Sequence, residues 1–128
     1  MILLDTHAWL WWVSDPEQLG KKARRAIEGA QKLGVSAISA FEIAALVAKR
    51  RISLDRDVLE WIEQSLADPR LELVSISPAI SVRATRLGGS FHGDPADRLI
   101  VATAITESAT LVTKDRQIQE YAAVQCVW

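Results

Sequence analysis

With 128 residues, 49% of them hydrophobic, the chain can bury one ordinary core and is too short for two, so a single domain spanning 1–128 is expected. A net charge of -1 and a pI near 6.1 exclude general attraction to nucleic acid, leaving local groups such as Lys21, Lys22, Arg24 and Arg25, or Lys49, Arg50 and Arg51, most often simply solvated helix faces. The one cysteine, Cys126, excludes an intrachain disulfide and a cysteine-built zinc site; Asp5, His7 and Glu42 interrupt the apolar runs that a signal peptide or spanning helix would need, so a soluble, cytoplasmic protein with no membrane association is expected.

In chain order, Ile2 to Leu4 reads as a strand closed by Asp5, Thr6 to Val13 as a short helix, and Glu17 to Lys32 as an amphipathic helix stopped by Gly34. Val35 to Ser39 reads as a strand running into helix Ala40 to Arg51. Asp55 to Leu66 follows as a helix with Leu59, Ile62 and Leu66 on one stripe, ended by Asp68-Pro69. Strand Leu71 to Ile76 leads to Ser77-Pro78, a cap and first-turn proline opening a helix to about Leu87. Gly88 and Gly89 break the chain before the loop Ser90-Phe91-His92-Gly93, and Asp94-Pro95 repeats the cap-and-proline device for helix Ala96 to Glu107. Strand Thr110 to Thr113, a short helix near Gln117 to Tyr121, and strand Val124 to Val127 complete the chain. Strands separated by helices predict an α/β fold, a three-layer α/β/α sandwich around a mostly parallel sheet of about five strands.

Four acids, Asp5, Glu42, Asp97 and Asp115, stand where apolar runs give way to turns or helices. In a parallel sheet the strand ends gather on one edge, so these carboxylates are expected to converge. Two unit charges about 4 Å apart cost roughly 4 kcal/mol at an effective dielectric of about 20, so the cluster calls for a cation or raised pKa values. An all-carboxylate shell with room for water suits Mg²⁺ or Mn²⁺. Each acid also has a plainer reading. Glu42, three residues after Ser39, fits a capping box; Asp94 and Asp115 fit N-caps; Asp97 suits a helix dipole. Asp5 resists that treatment, because it closes an apolar strand with no evident cap to serve, and with it the four acids favour one metal site. Thr6 and Thr113 are placed to bond a carboxylate oxygen or a metal-bound water, or to fill turns.

His7 and His92 lack a histidine partner at ligand spacing and are left out of the expected site. Arg98 is a candidate to neutralise the carboxylates or contact a phosphate, and Lys114 and Arg116 flank Asp115. Trp9, Trp11 and Trp12 crowd one short helix that cannot turn all three into a single core, so part of that surface is expected at a groove or partner as readily as between layers. Trp61 is expected in the core.

These residues carry a resemblance covering nearly the whole chain. Leu3-Leu4-Asp5-Thr6-His7 with Leu10-Trp11-Trp12, Ser36-Ala37-Ile38-Ser39 with Glu42-Ile43-Ala44, the run His92 to Ala104, and Leu111-Val112-Thr113-Lys114-Asp115 occur in order, and together resemble the PIN-domain ribonuclease toxins of the VapC type. The resemblance implies a metal site of Asp5, Glu42, Asp97 and Asp115, with Asp94 as a further acidic neighbour and Thr113 as a supporting hydroxyl. It implies Mg²⁺- or Mn²⁺-dependent cleavage of RNA, a cognate antitoxin protein as partner, and a homodimer. Lys114 stands where a small residue is often seen and adds a positive charge beside the site. A non-catalytic PIN-like scaffold that binds RNA or protein remains the main alternative. A receiver domain would need paired acids after the first strand and a haloacid-dehalogenase-like phosphatase Asp-x-Asp, and Asp5-Thr6-His7 fits neither.

Overall fold

Alternating leucines build the frame. In β1 (Ile2–Leu4), Leu3 and Leu4 are both fully buried but enter different cores, since successive strand side chains point to opposite faces. Leu3 packs with Val74, Ile80, Ile100 and Leu111, whereas Leu4 packs with Trp9, Ile27, Val35 and Val112. The computed structural model describes residues 1–89, 91 and 93–128. Ser90 and His92, which belong to the expected loop, lie outside the described residues.

β1 is the middle of a sheet in the order β3-β2-β1-β4-β5, with β2 at Leu33–Ser36, β3 at Leu71–Val74, β4 at Thr110–Val112 and β5 at Cys126–Val127. Every pairing is parallel, and Leu4 stands opposite both Val35 and Val112. Helices α1 (Thr6–Ser14), α2 (Lys21–Gly29) and α4 (Val58–Leu66) supply Trp9, Ile27 and Trp61 to one face. On the other face α5 (Pro78–Thr85), α6 (Pro95–Thr106) and α7 (Arg116–Gln119) supply Ile80, Ile100 and Ile118. Helix α3 (Ala37–Ala48) leaves the end of β2 and packs against α1, α4 and α6. The expected three-layer α/β architecture is therefore present, with a sheet that is wholly rather than mostly parallel.

Several boundaries differ from expectation for local reasons. Gly34 lies inside β2, where a Cβ would meet Met1 Sδ at 2.7 Å and Leu3 and Val74 methyls at 3.3 Å, so it is a packing glycine and not a helix stop. Ser36, not Ser39, caps α3 by accepting from the Ile38 amide at 3.2 Å, which moves Ser39 and Glu42 one turn into the helix. The expected helix over 17–32 divides into a 3-10 turn at Pro16–Gln18 and α2, and α4 starts after Asp57, whose carboxylate caps Leu59 and Glu60. Trp9 is fully buried and donates its indole N–H to Ser65; Trp61 is buried and donates to Ser14 at 3.0 Å. Trp11 and Trp12 are only half-buried, so the tryptophan cluster is shared between core and surface.

Candidate active site

The order of the sheet places a crevice. From β1 the chain adds β2 and β3 on one side, then β4 and β5 on the other, and the C-terminal edge at such a reversal is where open α/β sheets bind ligands. Asp5 follows β1 with extended backbone (φ -73, ψ 176), and its amide donates to the Val112 carbonyl at 3.1 Å, which ties it to the end of β4. Its Oδ1 accepts from the Ala8 amide at 2.8 Å. Asp5 thus does serve a cap, contrary to expectation, because α1 begins directly after it with no linker.

The other carboxylates are also anchored. Glu42 takes part in no capping box; its Oε1 accepts a hydrogen bond from the Thr6 hydroxyl, which exchanges another with Ser39 at 2.9 Å. Asp94 Oδ1 caps α6 by accepting from the Asp97 amide at 2.8 Å, and Asp115 Oδ1 caps α7 by accepting from Ile118 at 3.1 Å. Thr113, fully buried, accepts from the Asp115 amide at 3.1 Å and so fixes the turn after β4. At Gly93 a Cβ would lie 2.5 Å from the Phe91 ring and 2.9 Å from Asp97 Cβ, so a side chain there would push the start of α6 away. The Asp97 carboxyl has no hydrogen-bond partner among the described residues.

Asp5, Thr6, Glu42, Asp94, Asp97 and Asp115 line one cavity of about 590 Å³, together with His7, Trp11, Ile100 and Lys114. All four acids expected from the sequence meet there, Asp94 and Thr6 join them, and Thr113 stands behind. Arg98 does not. Its guanidinium donates to the Ala84 and Phe91 carbonyls, both at 3.1 Å, so it braces the approach to α6 and neutralises no cavity carboxylate. His7 and Trp11 were not expected in the site. They lie four residues apart on α1, one face of a helix, with ring centroids 5.5 Å apart, and that spacing was the available signal. A separate cavity of about 570 Å³, which shares no lining residue with the first, holds one carboxylate, Asp55, which is paired with Arg56 at 2.8 Å, and so lacks converging acids.

Burial and mutual repulsion mark the carboxylates electrostatically. Burial pushes the Asp5 carboxyl above its ordinary value, although Thr113, the Ala8 amide and His7 pull the other way. Burial likewise raises Glu42, against the bond from Thr6 and with the repulsion of Asp94 and Asp5. Asp97 rises to about 7, first through burial and then through repulsion from Asp94, Asp115, Glu42 and Asp5. One group feeling four others is what a shared charge cluster produces.

By chemistry the acids fit a hard divalent cation: they are oxygen donors, and the bonds made by Glu42, Asp94 and Asp115 each engage one oxygen and leave the other for another partner. As the side chains stand, no three of His, Cys, Asp or Glu among the described residues form a ready-made metal-holding group.

Comparison with known proteins bears on the fold and the family. The PIN domain family model matches residues 2–124. Ribonuclease VapC22 of Mycobacterium tuberculosis is 47% identical over 120 residues, covering 94% of this chain and 91% of that protein. Among solved structures, VapBC2 from Rickettsia felis bound to a DNA fragment from its promoter aligns with a TM-score of 0.73 at 20% identity, over 99% of this chain and 98% of that one. A toxin-antitoxin complex from Klebsiella pneumoniae aligns with a TM-score of 0.72 at 19% identity, over 100% and 97%. At those identities the two structures speak for the fold. A five-stranded parallel sheet with acids gathered at its switch point, a family model spanning almost every residue, and a close VapC relative lead to one assignment: the chain belongs to the PIN-domain family, in its VapC branch.

Proposed function

We propose that this single-domain protein is an endoribonuclease that hydrolyses RNA phosphodiester bonds with Mg²⁺ or Mn²⁺ and acts as the toxin of a toxin–antitoxin pair. The observation that carries the reading is the convergence of Asp5, Glu42, Asp94, Asp97 and Asp115 on one cavity. Its 47% identity to a ribonuclease of the VapC type supplies the substrate class. Asp5, Asp97 and Asp115 are the residues that would hold the cation, with Glu42 either a further holder or the group that orients the attacking water, and Asp94 adding negative charge to the same cavity. When bound, such an ion lowers the pKa of water and neutralises charge that develops on the phosphoryl group. Glu42 has one oxygen engaged by Thr6, which leaves the other to orient the attacking water and take its proton. Thr113 fixes Asp115, and the cap to Ala8 fixes Asp5, so the two sheet-borne acids keep their places through the reaction.

A ribonuclease needs restraint in its own cell, and the toxin–antitoxin complexes among its structural neighbours make a cognate antitoxin the expected partner. The half-buried Trp11 and Trp12 and the 41% exposed Val13 beside them give α1 an aromatic and apolar flank for it. A cytoplasmic homodimer completes the proposal; no helix among the described residues is long and apolar enough to cross a membrane. The test is incubation of purified protein with total RNA in Mg²⁺, Mn²⁺ or excess chelator. Cleavage is expected only with metal and only with Asp5 intact; cleavage that persists in chelator, or in Asp5→Asn, would overturn the metal-dependent reading and favour a different chemistry.

A further inference from the structure

Among the described residues, Lys114 is the one lysine or arginine lining the carboxylate cavity. Five carboxylates share that cavity, yet the Lys114 ammonium is in none of the ion pairs among the described residues, which join Lys32 to Glu72, Arg56 to Asp55 and Arg70 to Asp68. Instead it sits 5.7 Å from the centre of the Trp11 ring. Trp11 is itself wedged between His7 and Trp128, with ring centroids 5.5 and 5.7 Å away. A cation over an indole keeps its charge and its donors while losing side-chain freedom. Held at an exposed position on the wall of an acidic cavity, it is pre-set for an anion arriving from outside.

A phosphodiester approaching five carboxylates meets repulsion that a metal ion offsets only where the ion sits. The nucleotide next to the scissile phosphate needs its own counter-charge. Arg98 cannot supply it, being bound to the Ala84 and Phe91 carbonyls. Lys49 and Arg51 line an adjoining depression that shares His7, Glu42 and Asp94 with the cavity but does not reach Asp5, Asp97 or Asp115, so they would serve a nucleotide farther from the scissile bond. Building on the ribonuclease reading above, we infer that Lys114 is a substrate-binding residue that takes a phosphate oxygen of single-stranded RNA beside the scissile bond, and that Trp11 is the residue that positions it.

Steady-state cleavage of a labelled single-stranded RNA dodecamer in Mg²⁺ tests this with wild type, Lys114→Ala, Lys114→Arg and Trp11→Leu. Lys114→Ala is expected to raise KM about tenfold, the scale of one charge-assisted hydrogen bond, with kcat within about threefold. The fall of log kcat/KM with log salt should become shallower by about 0.7, the single-strand value for one lost phosphate contact. Lys114→Arg should restore most of the KM, and Trp11→Leu should raise it by less while leaving the salt slope unchanged. The rise in melting temperature on adding Mg²⁺ should be the same in Lys114→Ala as in wild type. A changed Mg²⁺ response would assign the ammonium to the carboxylates and overturn the inference, as would unchanged KM and salt slope. Wild type that cuts no RNA would sink the ribonuclease reading itself, whereas wild-type cleavage matched by Lys114→Ala would sink this inference alone.

Discussion

The sheet side and the helix side of the cavity hold their carboxylates differently. Asp5 and Asp115 follow β1 and β4 on extended backbone, and each gives one oxygen to the helix that begins behind it, α1 or α7. Glu42 and Asp97 sit inside α3 and α6, where they close no helix end. Asp97 has no hydrogen-bonded carboxyl among the described residues, and burial with four acidic neighbours lifts its pKa to about 7. The first pair would be useful to the fold without any chemistry. Glu42 is held only by Thr6 and Asp97 offers only its place in the first turn of α6, so the second pair, Asp97 above all, adds repulsion for little structural return and its presence is better explained by function.

The largest contrast should appear at Asp5. Asp5→Ala removes a cap as well as a cavity acid, and should lower stability by about 0.5 to 2 kcal/mol while reducing RNA cleavage by on the order of 10²-fold or more. Asp5→Asn keeps a capping oxygen and should lose the cleavage without most of the stability. Denaturant melts beside cleavage rates separate the two effects; equal destabilisation by both substitutions would dissolve the distinction between cap and cavity roles.

Asp97 should behave in the opposite sense. Its folded pKa of about 7 lies above the ordinary 3.8, so the folded state binds more protons between those values and stability falls as pH rises. In metal-free buffer the contribution should be fully present below about pH 4 and lost by about pH 8, worth about 1 to 2 kcal/mol once solvent screening of this half-buried group is allowed for. Asp97→Asn should flatten that slope and melt higher than wild type above pH 7. A lower melting temperature there would return Asp97 to a helix-start role. The smallest effect concerns Thr6, whose hydroxyl holds the Glu42 pKa down against burial. Thr6→Val should move the acidic limb of the pH–rate profile upward, because Glu42 would stay protonated to higher pH, and an unmoved limb would mean that Glu42 does not work as a carboxylate.

Much of this was legible in the chain. The apolar run Ile2 to Leu4 and the Asp94-Pro95 and Ser77-Pro78 devices locate β1, α6 and α5 closely, and the four acids stand out in the sequence at the ends of apolar runs. What could not be read depended on contacts distant in sequence. Gly34 looked like a breaker because nothing local reveals that Met1, Leu3 and Val74 close over it. Ser36 and Ser39 offer equivalent caps in Ser-Ala-Ile-Ser and both are fully buried; what separates them is the pairing that ends β2 at Ser36 and the bond of Ser39 to Thr6, neither of which is local in sequence. Arg98 adjoins Asp97 in sequence, yet helix geometry turns neighbours about 100° apart, and its reach to Ala84 and Phe91 carries it out of the site. The cap that Asp5 serves is hidden in the sequence because β1 passes into α1 without a loop.

Manganese binding at pH 7, followed by calorimetry in two buffers of different ionisation enthalpy, tests the central claim most directly, since with a pKa of about 7 Asp97 is about half protonated there and metal entering the carboxylate cluster must displace that share. Wild type should bind saturably with proton release, Asp97→Asn should bind with most of that release gone, and Asp5→Asn should bind at least about tenfold more weakly. Saturable binding untouched by both substitutions, or no binding by a protein that still cuts RNA, would contradict the account.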